Sequence, residues 1–196
     1  MKNILYLFVL MSLVVSLTAC GDPEPLEYSA IEDLPEDEQV DAIVENVDLI
    51  EDYEIIIEDN KVAIVYPSDY VSDSRLALDD DDESFPNVAM TLSEHLAMLE
   101  FDEVVITAYE PNDSDTQLTR VSAMLTNETI QELDFERWRD HNKEERPQRF
   151  YIYHADAYLI RGMVWDNLSD ETRDDIGSQR RNSDSEFWGY YGSTVE

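Results

Sequence analysis

One cysteine, three histidines, five glycines and thirteen lysines and arginines are all that this 196-residue chain offers of those types. The lone cysteine, Cys20, leaves no second thiol for a disulfide, a thiolate metal cluster or a redox pair. His95, His141 and His154 show neither the zinc-protease nor the zinc-finger spacing. No Gly-X-Ser-X-Gly elbow marks a hydrolase nucleophile. No cofactor-binding pattern is present either. No apolar stretch reaches the ~20 residues a membrane-spanning helix needs, the longest covering residues 4–15.

Carboxylates fill the space these absences leave. Forty-six acidic residues set the formal net charge at −33, which repels nucleic acid and anionic lipid surfaces. Lysine is the rarer base, with only Lys2, Lys61 and Lys143 against ten arginines. High acid with low lysine resembles the surface of proteins that work in concentrated salt. The charge is also lopsided. Residues 21–136 hold 34 acids against Lys61, Arg75 and Arg120, whereas residues 137–196 hold 12 acids against nine bases. Either the C-terminal part packs back onto the acidic part, or it offers a separate docking surface.

The N-terminus carries an address. Lys2 precedes the apolar run, which ends in Leu17-Thr18-Ala19-Cys20 before Gly21. A charged start, a short apolar core and small residues at its end are the parts of a secretory signal. The last four residues resemble the lipobox of bacterial lipoproteins. That resemblance implies cleavage after residue 19, lipid on Cys20, and anchorage of an extracytoplasmic protein in the bilayer. Two acyl chains hold stably where one does not. The resemblance covers only about the first 21 residues. Residues 20–34, with Pro23, Pro25 and several acids, then read as a lipidated tether, and residues 35–196 as one acidic domain.

Within that domain, Pro35 followed by Glu36, Asp37 and Glu38 predicts a helix start. Val40, Ile43, Val44 and Val47 continue it at helical spacing. Two β-branched runs, residues 53–57 and 62–66, flank a short turn and predict a hairpin. A second helix is predicted from Pro86, with Val88, Leu92, His95, Leu96 and Leu99 on one face. Residues 104–109 and 118–125 predict a second hairpin. Helix–hairpin–helix–hairpin order predicts an α+β fold: a four-stranded antiparallel sheet with helices on one face. Residues 135–196 are expected to be mostly helical and aromatic. Asn127 reads as an N-cap, with Ile130, Leu133 and Trp138 on the third helix. Residues 150–165 are rich in apolar and aromatic side chains, and periodicity does not settle strand against helix; Ala155, Ala157 and Leu159 lean towards helix in the second half. Ser169 is expected to cap a last helix ending near Gly177.

Candidate chemistry is sparse. His95, on an apolar helix face, reads as a core histidine before a base. His154 beside Asp156 suggests an oriented imidazole. The run Asp79, Asp80, Asp81, Asp82 and Glu83 is a candidate for weak cation binding. It lacks the alternation and glycine of an EF-hand, and consecutive side chains diverge. Phe187, Trp188, Tyr190 and Tyr191 form either a platform for a protein or glycan partner or a tail docked on the core. Arg137, Arg139, Lys143, Arg146 and Arg149 make up the basic cluster, interleaved with Asp140, Glu144 and Glu145. The expectation is a membrane-anchored, non-catalytic binding or accessory module. Two alternatives stand beside it: an envelope hydrolase using a carboxylate pair, and a divalent-cation-dependent module.

Overall fold

A computed structural model describes residues 26–68, 74–79, 84–111, 118–142 and 144–193. The expected signal segment, Cys20, Asp80 to Glu83 and Lys143 lie outside the described residues. Helix α1 (Glu36–Val47) starts after Pro35, with three acids in its first turn. There they face the unpaired amides and positive end of the helix dipole. Its four apolar positions are all buried. Upstream, in the expected tether, Ile31 is also buried in the main core.

Strands β1 (Glu54–Glu58) and β2 (Lys61–Pro67) form the expected hairpin. Asp59 and Asn60 hold φ at 48° and 62°, the left-handed pair that a two-residue turn requires and that short polar residues tolerate. Helices α2 (Arg75–Leu78) and α3 (Phe85–Leu96) follow, with Pro86 in the first turn of α3. Strands β3 (Glu103–Glu110) and β4 (Leu118–Thr126) make the second hairpin.

The fold is α+β, but the sheet is six-stranded and mixed, in the order β1-β2-β3-β4-β5-β6. This corrects the four-stranded antiparallel expectation in two ways. Strands β2 and β3 pair in parallel, because α2 and α3 form a helical crossover between them; a crossover returns the chain in the same direction, whereas a tight turn reverses it. The C-terminal part also adds two strands, β5 (Ala157–Ile160) and β6 (Arg180–Arg181), both antiparallel to their neighbours.

Side chains alternate across the sheet with the strand period of two. Val62, Ile64, Val104, Ile106, Val121, Ala123, Tyr158 and Ile160 point into the main core beneath α1 and α3. Ala63, Val105, Met124, Ala157 and Leu159 point the other way. There they meet Phe187 and Trp188 of α9 (Glu186–Tyr191). Helices therefore cover both faces, not one.

Between β4 and β5 the expected third helix is divided into α4 (Asn127–Glu132) and α5 (Phe135–Asp140). Asn127 is the first helical residue, and Thr126 is the cap, accepting the Thr129 amide at 3.3 Å. Next come α6 (Arg146–Arg149) and a π-helical turn, Phe150–His154. Helix α7 (Gly162–Asp166) follows β5. Helix α8 (Asp170–Ile176) is capped by Ser169 and closed by Gly177 at φ 81°, as expected. Among the described residues, no helix is long and apolar enough to cross a membrane.

Candidate functional site

The short elements after β4 enclose a groove of about 450 Å³. Its rim begins on α4 and on Asp134, whose carboxylate caps α5 by accepting the Arg137 amide at 2.9 Å. Break and cap together turn α5 so that Trp138 is buried against the core while Arg137 stays exposed at the groove. The opposite wall is the π-helical turn. There the Ala155 amide reaches back to the Phe150 carbonyl at 2.9 Å, one residue farther than in an α-helix. Such a turn inserts an extra residue and re-aims its side chains, and is frequent at functional sites.

The consequence here is a division of labour along an aromatic run. Phe150 and Tyr151 are buried, Tyr153 is 68% exposed on the groove wall, and His154 stands edge-on to Trp138 with centroids 5.4 Å apart. Arg149 lies 6.0 Å from the Tyr153 ring and pairs with Glu145 at 3.0 Å. Arg137 has no side-chain partner among the described residues. Burial lowers the His154 pKa, and nearby His141 and Arg149 lower it further. The imidazole is thus held neutral near pH 7, able to donate or accept a hydrogen bond but not to serve as a fixed cation.

Asp156 does not orient His154. Its carboxylate accepts the Thr126 amide at 2.7 Å and the hydroxyls of Thr126 and Thr129 at 3.0 Å each. It ties the start of β5 to the cap of α4, and so positions one wall of the groove. His95 is 3% exposed. Burial is the first cause of its lowered pKa, with Arg139 acting in the same direction and Glu94 against it.

The basic cluster separates into different environments. Arg139 forms an ion pair with Glu94 of α3, Arg146 is buried and donates to the Arg139 carbonyl at 3.4 Å, and among the described members only Arg137 and Arg149 reach the groove. Asp79 caps the end of α2. Among the described residues, no group of three or more potential ligands stands together for a metal. Phe187 and Trp188 are 7% and 1% exposed, Tyr190 is 70% exposed, and Tyr191 donates to Glu58 at 2.8 Å. Burial, with that bond to a carboxylate, pushes the Tyr191 phenol up to about 12. Ser185 caps α9 and also reaches Glu103, while Ser122 and Thr107 donate to the carbonyls of Gly192 and Tyr191. The α9 segment is fastened at both ends to the sheet.

Sequence reasoning found His141, His154 and the arginines separately, and missed that Trp138 and Tyr153 join them. The signal was the aromatic run of residues 150–154 immediately after the basic cluster. No family model, no curated protein and no solved structure matches the chain.

Proposed function

We propose that this protein is a lipid-anchored, extracytoplasmic binding module whose groove takes an anionic glycan. One observation carries the groove assignment. A chain of net charge −33 gathers Arg137, without a side-chain partner among the described residues, Arg149, His141, His154 and the exposed Tyr153 around one cleft, whose lining also includes Glu132 and Asp134, the latter engaged in capping α5. Sugar rings present flat C–H faces that stack on an aromatic ring such as Tyr153. Carboxylate groups on the sugars pair with a guanidinium fork such as Arg137. His154, neutral and shielded by Trp138, supplies a hydrogen bond that does not depend on charge. The anchor rests on the lipobox resemblance at Leu17-Thr18-Ala19-Cys20.

Titration with a short galacturonate oligomer, followed by intrinsic tryptophan fluorescence, tests the groove. Saturable binding is expected, weakened about tenfold by Arg137→Gln, since a hydrogen bond to a charged group contributes roughly 1.5–3 kcal/mol. Equal binding of the neutral galactose oligomer, or no effect of Arg137→Gln, refutes it. The anchor is tested separately by metabolic labelling with palmitate in a bacterial host: Cys20→Ser abolishes the label if Cys20 is the lipidated residue. Persistent labelling of that variant removes the anchor and leaves the groove assignment untouched.

A further inference from the structure

A second cationic cluster lies at the corner of the sheet beyond α9, apart from the groove. Ala108 pairs with Val121 and Tyr109 with Thr119, so Arg120 is the extra residue of a β-bulge. A bulge re-aims the side chain it carries. On its other edge, Arg120 accepts the Arg161 amide at 2.8 Å, which sets the two arginines side by side on β4 and just past β5. Arg180 pairs with Leu159, two residues before Arg161, so Leu159, Arg161 and Arg180 project from the same face. There Arg180 donates to the Ser193 carbonyl at 3.3 Å, immediately beyond α9. Gly162 makes the approach possible: at φ +55° it is in the left-handed region, and a Cβ there would sit 2.5 Å from Arg120 Nη1.

The charges at this corner do not cancel. Glu110 answers Arg120, Arg180 has a neutral carbonyl for an acceptor, and the Arg161 guanidinium has no partner among the described residues. Arg120 also keeps a buried Nε with no acceptor among the described residues. Arg161 is partly buried. Burial, Arg180 and Arg120 all disfavour its charged form. In a chain with 46 acidic residues, three neighbouring guanidiniums answered by one acid among the described residues form an arrangement that an added anion completes.

We infer that Arg120, Arg161 and Arg180 form a binding site for a phosphate-type oxyanion, carried either by free phosphate or by a phosphorylated headgroup. Among the described residues, three guanidiniums less one carboxylate leave two positive charges, which match a dianion. Their several N–H donors suit a tetrahedral group with many acceptor oxygens better than a carboxylate with two. This inference is independent of the groove.

Calorimetric titration of the full chain with inorganic phosphate, at constant ionic strength, tests it. One saturable site is expected, with acetate failing to reproduce it. Arg161→Gln weakens phosphate about tenfold or more, while Arg173→Gln, which removes a surface partner of Asp170, leaves it unchanged. If Arg161→Gln does not fold, Arg161→Lys replaces it, keeping the charge but losing the fork, and an affinity a few-fold weaker is expected. Sedimentation with phosphatidylcholine vesicles, with and without phosphatidic acid, identifies the source. Acid-dependent sedimentation that Arg161→Gln abolishes assigns a headgroup, and phosphate titration without it assigns a free phosphate. Absence of both, or binding indifferent to Arg161, overturns the site.

Discussion

Replacing Trp188 with alanine tests whether the aromatic tail belongs to the core. Trp188 is 1% exposed and sits over Ala63, Val105, Met124, Ala157 and Leu159 in the smaller apolar cluster. Tryptophan-to-alanine changes in cores cost roughly 3–5 kcal/mol from lost transfer energy and the cavity left behind. The indole Nε1 is buried without a partner among the described residues, so the substitution orphans no hydrogen-bonding group among them. Two of the residues below are alanines, Ala63 on β2 and Ala157 on β5, with little side chain to fill the void. An expected cost of about 3–4 kcal/mol follows, against a total stability of ~5–15 kcal/mol for a typical domain. Urea unfolding followed by far-ultraviolet circular dichroism reads it. With a slope near ~2 kcal/mol per molar, the midpoint falls by roughly 1.5–2 M. Tyr190→Ala, at a 70% exposed neighbour, is expected to stay within about 0.5 kcal/mol. A Trp188→Ala cost below ~1 kcal/mol with unchanged slope refutes the docking, and the tail is then a free platform.

Two further outcomes are expected. Asp156→Ala removes a carboxylate that accepts three hydrogen bonds at 2.7–3.0 Å; at ~1 kcal/mol each, and discounted for partial exposure, urea unfolding is expected to show a loss of about 2 kcal/mol. A change under ~0.5 kcal/mol would sink the claim that Asp156 ties β5 to α4. For pH, His95 and His154 both titrate below their ordinary value when folded, burial being the first cause. Their contribution is therefore fully present above the unfolded value of about 6.5, and is lost as pH falls through the depressed folded values. Relief of acidic self-repulsion works in the opposite direction, so the readout is the difference between the parent and His95→Gln from pH 7.5 to 5. That difference is expected to shrink on acidification, and a constant or growing one contradicts the assignment.

The parts of the fold legible in sequence are those where one physical signal acted alone. Pro35 and three following acids mark α1, Asp59-Asn60 marks the first hairpin, and Ser169 with Gly177 brackets α8. Strand direction was not legible, because both hairpins look the same whether the segment between them reverses the chain or carries it across. Strand β5 was obscured for another reason. Ala157 and Leu159 meet α9 while Tyr158 and Ile160 meet the main core, and all four are buried. A strand covered on both faces shows no alternation, and its alanines then suggest a helix. Strand β6, two arginines long, carries no apolar pattern at all. The groove was hidden because its walls come from a π-helical turn and two helices of six residues, none with a periodic signature.

The scarcity of bases makes the position of each one informative. Several join segments that are distant in sequence: Lys61 to Glu103 between β2 and β3, Arg120 to Glu110 between β3 and β4, and Arg139 to Glu94 between α5 and α3. Arg149 answers Glu145 at the N-cap of α6 and Arg173 answers Asp170 on α8, and Arg181 donates to the carbonyls of Ile152 and Ala155 while covering the Tyr158 ring. Of these bonds, Arg139 to Glu94 is the one that ties the residues after 136 to the acidic part; the segment is otherwise held there by the pairing of β5 with β4 and by the apolar contacts of α9. Structural pairing, however, does not account for Arg137 and Arg161. With carboxylates outnumbering bases by more than three to one, a cation that serves only solubility or pairing has acids on every side to choose from. Two guanidiniums left unanswered among the described residues, one in an aromatic groove and one between two other arginines, are therefore the positions where a ligand's charge is most reasonably sought.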